Sequence, residues 1–184
     1  MANNTNTYPN LIGGEWKALS TGEFFEDSNP ANHNEVVGIF PKATLDDTRQ
    51  AIACARSALT NWMNTPAPAR GAILDKASQV ITARLEEMSI ALTREEGKTL
   101  AEAKGEVTRA RDIFRYYSGD GWRYGGQVLP SSINGELLYT RREALGVVSI
   151  ITPWNFPIAI PAWKIARREN PWTRSRRMSG WRRI

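Results

Sequence analysis

The sequence is poor in the residues that most often carry self-contained chemistry, with one Cys and one His in 184 residues. A single Cys excludes an internal disulfide framework and dithiol redox chemistry, and one Cys with one His excludes a conventional zinc cluster. Serine-type catalysis needs a histidine base, and the sole candidate, His33, lies in the polar run Ser28-Asn29-Pro30-Ala31-Asn32-His33, which reads as a turn. Cys54 sits beside the stripe Ala51, Ala55 and Ala58 without an adjacent base, so it reads as a small packing residue. A secretory leader is lacking too: MANNTNTYPN has no basic or apolar region of that kind, and a cytoplasmic location is expected. The one long apolar run, residues 144–163, is interrupted by Pro153, Pro157 and Pro161. Each would cost about 3 kcal/mol inside a helix, so no membrane span is expected.

Charge is unevenly spread. The net charge is +5, yet residues 167–184 hold seven Arg and one Glu, which leaves the first 166 residues at a net −1. With 41% apolar and 23% charged residues, the near-neutral body is ordinary globular material.

Periodicity divides the body. Gly13-Gly14, between short apolar runs, signals a hairpin, and residues 9–41 read as two or three short strands with turns. Thr44 suits an N-cap, with Asp46 and Asp47 in the first turn of a helix that buries Ala51, Ile52, Ala55, Leu59 and Trp62. Thr65-Pro66-Ala67-Pro68 stops that helix. A second stripe follows in Ile73, Leu74, Ala77, Val80, Ile81 and Leu85, and a third in Met88, Ala91 and Leu92, ending near Gly97. A fourth helix over about 99–122 carries Ala103, Val107, Ala110, Phe114 and Tyr117 on one face. Gly119, Gly121 and Gly125 have the spacing G-x-G-x-x-x-G behind a helix, which does not fit a dinucleotide loop.

After Gly125-Gly126 the period changes. Gln127–Leu129 and Leu137–Arg142 flank a turn containing Asn134-Gly135. Gly146 to Thr152 is an apolar, β-branched run of the kind expected for a strand buried on both faces of a parallel sheet. Pro153 ends it and Pro157 opens a helix, a strand-turn-helix unit at whose turn ligands sit in open α/β sheets. Within Thr152-Pro153-Trp154-Asn155-Phe156-Pro157, the spacing alone leaves two readings of Asn155 open: an N-cap for the new helix, or a side-chain amide that donates to a developing oxyanion.

The run Ile150 to Pro157, followed by Ala162-Trp163-Lys164-Ile165-Ala166, resembles the signature of the NAD(P)-dependent aldehyde dehydrogenase family. Asn29-Pro30-Ala31, Glu95-Glu96-Gly97-Lys98, Arg115-Tyr116-Tyr117-Ser118-Gly119 and Leu145-Gly146-Val147-Val148 are similar to that family as well, so the resemblance covers about residues 9–166. It implies an α/β protein, the N-terminal part of an aldehyde dehydrogenase fold: short β strands, a helical segment, a hairpin arm and the first Rossmann-like β-α unit. On that basis residues 1–126 are N-terminal strands and helices of the cofactor domain, 127–145 an oligomerisation arm, 146–166 the first strand-turn-helix, and 167–184 a divergent tail. Asn155 is implied as the oxyanion donor. Ile151, Thr152, Pro153 and Trp154 are implied to line the nicotinamide and pyrophosphate channel, and Phe156, Ile160 and Trp163 the aldehyde tunnel. Within the family, Glu102 to Glu106 through Arg109 to Tyr117, with Ile158 to Lys164, are most similar to α-ketoglutarate semialdehyde dehydrogenases. Arg109 then either grips the substrate's distal carboxylate or is an arginine on a solvated helix face.

The resemblance stops at Ala166, and the family's nucleophilic Cys, general-base Glu and remaining strands find no match in this sequence. The chain is therefore expected to be an inactive, truncated fragment that binds NAD or NADP weakly, with strand edges that leave it open to aggregation. The homo-oligomer that the family implies is in doubt here. The Arg-rich tail, with Trp172 and Trp181, reads as the product of a shifted reading frame, in preference to a nucleic-acid-binding module. The remaining alternative is a non-catalytic protein whose hairpin arm pairs with full-length subunits.

Overall fold

A computed structural model describes residues 7–17, 22–123, 125–142 and 144–169, and all but the start of the Arg-rich tail lies outside these described residues. Among the described residues the first strands are β1 (Asn10–Ile12) and β2 (Glu15–Lys17), paired antiparallel across Gly13 and Gly14. Both glycines have positive φ, 65° and 82°, as the tight reversal requires. β3 (Phe24–Ser28) and β4 (Val36–Pro41) form a second antiparallel pair with an irregularity at Asp27/Ser28. The loop between them is tied down by polar contacts. Asn29 donates to Glu35 at 2.8 Å and accepts from the Ala31 amide at 2.9 Å, and the Arg94 guanidinium donates to the other Glu35 oxygen at 2.5 Å. These bonds hold the Glu35 carboxyl below its ordinary pKa, Asn29 contributing most and Arg94 next.

Helix α1 (Leu45–Asn64) starts at a capping box in which Thr44 accepts from the Asp47 amide and Asp47 accepts from the Thr44 amide. Its apolar stripe is not a core face. Ile52 and Ala55 are exposed, Ala51, Leu59 and Trp62 are half-buried, and the only buried residue of the helix is Asp47. A stripe is buried only where an element faces it, and the main neighbour of α1 is the short β1. The Thr65-Pro66 turn closes α1, with Arg70 donating to the carbonyl of Thr65 at 2.5 Å.

The core forms around the next three helices and the last one: α2 (Ala67–Ala83), α3 (Leu85–Glu96), α4 (Leu100–Ser118) and α6 (Ala159–Glu169). Helix α4 is the hub. Ala110 and Ile113 pack with Leu74 of α2 and Ala162 and Ala166 of α6, while Ala103 and Val107 pack with Ile81 and Leu92. Phe114 and Ile158 touch both clusters and make them one core. In α2 the stripe is narrower than expected, because Ile73 and Val80 face out and Ser78 faces in. α3 ends at Gly97, whose φ of 81° is a left-handed cap, and α4 starts at the Thr99/Glu102 capping box. α4 stops at Ser118, and after Gly119 a separate turn, α5 (Asp120–Arg123), completes the expected fourth helix.

β5 (Val128–Leu129) and β6 (Leu138–Tyr139) form a hairpin shorter than the flanking sequence suggests, reversed at Gly135. Residues 146–152 correct the expectation of a buried strand. They pair with no strand among the described residues, and Ile151 is 86% exposed. A β-strand exists only by its ladder, and the described residues offer none beside this run; Gly146, at φ 100°, also turns its start away from β geometry. The helix after Pro157 forms as expected, with its first helical residue at Ala159.

Two glycines explain how closely α2 meets the α4–α5 corner. A Cβ on Gly71 would lie 2.2 Å from the Ser118 carbonyl oxygen, and one on Gly121 would lie 2.4 Å from that of Ala67. Gly121 thus serves packing. Gly71→Ala should destabilise the chain by about 1–3 kcal/mol in urea denaturation. Gly105→Ala, where a Cβ meets nothing within 4 Å, should be neutral or stabilise it by up to about 1 kcal/mol. Equal losses for both variants would refute the close-approach account.

Candidate active-site segment

The turn that carries Asn155 is held from below by α4. Pro157 has no amide hydrogen, so the first donors needing acceptors at the start of α6 are those of Ile158 and Ala159. Both donate to Glu106 Oε1, at 2.9 and 3.1 Å. Glu106 therefore caps a helix that begins more than fifty residues later, and its side chain is only 1% exposed. Its other oxygen lies 2.5 Å from Lys98 Nζ, which also lies 2.7 Å from Glu96 Oε2. The same ammonium donates to the Asn155 carbonyl at 3.3 Å and stands over the Phe156 ring, 4.7 Å from its centroid.

A buried carboxylate would ordinarily be costly, but here one cation and two amides satisfy it. For Lys98, burial alone would lower the pKa; the Glu106 and Glu96 carboxylates that accept from its ammonium, with their charges, outweigh it and raise the value above the ordinary lysine range. The ammonium is therefore retained throughout neutral pH. Glu95 sits at the edge of the same cluster. Although the residue stays exposed, its carboxyl is pushed above the usual range by partial burial first, and then by Asp27, Glu96 and Glu106.

Asn155 does not cap α6, which removes one of the two readings open in the sequence. Glu106 does that work, and the Asn155 side chain, exposed, bonds to none of the described residues. Ile151, Pro153 and Trp154 are exposed and Thr152 is half-buried, in a continuous open ledge before the turn. Arg109 and Trp163 come together across α4 and α6, lining an open cavity of about 440 Å³ with Gly105, Thr108, Asp112, Ile113, Tyr116 and Tyr117. Phe156 and Ile160 do not line that cavity; Phe156 lies under Lys98 instead. Lys98 and Glu106 gave little warning in the sequence. The usable signal was a carboxylate at a stripe position, three residues after Ala103 and four before Ala110. Among the described residues no group of three or more His, Cys, Asp or Glu could hold a metal ion, and no helix is long and apolar enough to cross a membrane.

The model of the aldehyde dehydrogenase family matches residues 16–168. The chain belongs to the aldehyde dehydrogenase family. Among curated relatives of this aldehyde dehydrogenase chain, the alpha-ketoglutaric semialdehyde dehydrogenase of Bacillus subtilis is 45% identical over 161 residues, covering 88% of this chain and 33% of the relative. The alpha-ketoglutarate semialdehyde dehydrogenase of Haloferax volcanii is 46% identical over 162 residues, 88% of this chain and 34% of that one. The crystal structure of an NAD-dependent aldehyde dehydrogenase from Sinorhizobium meliloti superposes with a TM-score of 0.87 at 32% identity, over 91% of this chain and 34% of that one. The chain thus spans about a third of the length of the aldehyde dehydrogenases it matches, and its α/β fold is the N-terminal part of theirs.

The crowding of Glu95 has a pH consequence. A carboxyl whose folded pKa is raised destabilises the fold when ionised, and that penalty vanishes once both folded and unfolded forms are protonated. Glu95→Gln should therefore raise Tm at pH 7 and leave it unchanged below about pH 4, beneath the ordinary glutamate value. A variant less stable than the parent at pH 7 would contradict the crowding.

Proposed function

We propose that these residues belong to the cofactor-binding part of an enzyme that oxidises an aldehyde with a distal carboxylate to the acid, using NAD(P). The observation that carries the reading is the uncommitted Asn155 amide, exposed on a turn whose backbone is fixed from below. Such an amide can donate a hydrogen bond to the oxyanion that forms when a nucleophile adds to an aldehyde, and a preset donor costs no reorganisation at that moment. Arg109 supports the choice of substrate. It lines the open cavity beside Trp163, and among the described residues no ion pair occupies its guanidinium. A forked guanidinium suits a carboxylate, while the Trp163 face suits the aliphatic chain.

The dinucleotide fits the segment in part. The ledge Ile151-Thr152-Pro153-Trp154 presents apolar surface, with Ile151 and Trp154 at 86% and 80% exposure, and backbone groups outside any strand ladder. That is a surface for a nicotinamide ring and for hydrogen bonds to polar groups of the cofactor. Bound NAD(P) would supply the hydride acceptor. The ledge would orient it, and Asn155 would hold the substrate oxygen in place.

The 184 residues alone are proposed to be inactive. Their single cysteine, Cys54, lies on α1, where its sulfur is 3.4 Å from the Cβ that Gly13 would carry, in the β1–β2 turn. It belongs to a different part of the fold from the α4–α6 groove. A second, non-catalytic reading is favoured by the hairpin arm, where Val128 is 75% exposed beside the open edges of β5 and β6. In that reading the arm adds to intact subunits by strand pairing.

A hybrid with residues 16–168 in place of the matching third of the Bacillus subtilis relative separates these readings. It should oxidise α-ketoglutaric semialdehyde, and Asn155→Ala should lower kcat by about 10²–10³-fold. Arg109→Ala should raise KM for the carboxylated substrate by about 10–100-fold and change KM for an uncharged aldehyde little. A wild-type kcat in the Asn155 variant would overturn the reading. The 184-residue chain with NAD and aldehyde should yield no NADH; co-purification with a co-expressed intact relative would favour the non-catalytic role.

A further inference from the structure

Among the described residues, Lys98, in the connection between α3 and α4, and Glu106, on α4, form the one largely buried ionic group that reaches the Asn155 turn. We infer that the Lys98–Glu106 pair is a positioning device that fixes the Asn155–Phe156 peptide and the first turn of α6, and so sets where the Asn155 amide points. The meaning for catalysis rests on the reading of Asn155 above; the positioning itself does not.

The geometry carries the inference in three steps. The turn contains Pro153 and Pro157, which remove two donors and leave the amides of Ile158 and Ala159 as the anchor points of α6. Glu106 Oε1 takes both amides, so the helix start is pinned to one oxygen atom of α4. Glu106 Oε2 takes Lys98, and Lys98 in turn meets the Asn155 carbonyl and the Phe156 ring. The Asn155–Phe156 peptide is thereby held on its carbonyl side and its aromatic side, while the Asn155 side chain bonds to none of the described residues. General docking of α6 does not need this pair, because Ala162 and Ala166 bury the rest of the helix against α4.

Hydrogen exchange and amide NMR on the full 184-residue chain test the device. Glu106→Ala should speed exchange at the Ile158 and Ala159 amides by about tenfold or more, with the Val107 and Leu92 amides unchanged. Glu106→Gln keeps an acceptor oxygen but loses the charge. It should restore protection at Ile158 and Ala159 to within about threefold of the parent. Glu106→Gln and Lys98→Met should nevertheless move the side-chain amide resonances of Asn155 and the backbone amide of Phe156 in the same direction. Unchanged protection in Glu106→Ala, or equal acceleration throughout α4, overturns the inference. Should Glu106→Ala fail to fold, unmoved Asn155 resonances in both Glu106→Gln and Lys98→Met overturn it equally. Loss of kcat on Asn155→Ala in the hybrid reports on the oxyanion reading alone, so failure of either idea is seen separately.

Discussion

The carboxylate of Glu106 is the constraint on which the rest of the structure depends. It is nearly inaccessible, and an unpaired charge at such depth would be untenable. Three partners satisfy it: one ammonium in the connection between α3 and α4, and two amides at the start of α6, more than fifty residues away. The last helix is thus bound to the helical core by apolar packing along its length and by charge at its origin.

The core itself is built by close approach. Helix α4 meets α2, α3 and α6, and Phe114 and Ile158 join two clusters that would otherwise be separate. Glycine at positions 71 and 121 allows backbone to meet backbone where any side chain would collide. The N-terminal hairpins are peripheral by comparison, held by polar contacts such as Glu35 with Asn29 and Arg94.

Local signals were legible in the sequence and long-range ones were not. Gly13-Gly14, the Thr44 cap, the stop at Gly97, the Asn134-Gly135 reversal and the helix after Pro157 depend on a few neighbouring residues, and all appear where their chemistry puts them. The run 146–152 has the composition of a buried strand, but strands are made by partners remote in sequence. The α1 stripe fails for a similar reason, since amphipathic spacing states a capacity to pack and does not supply the facing surface. At the candidate site the sequence pointed to Asn155 and left its role divided. The cap role falls to Glu106, a residue whose significance lies in a contact spanning 52 positions.

Glu106 and Arg109 stand three residues apart on one helix, so their side chains leave its axis about 60° apart. One faces inward to the origin of α6, the other outward to the wall of the open cavity. In the proposed reading a single rigid rod carries alignment on one flank and selectivity on the next.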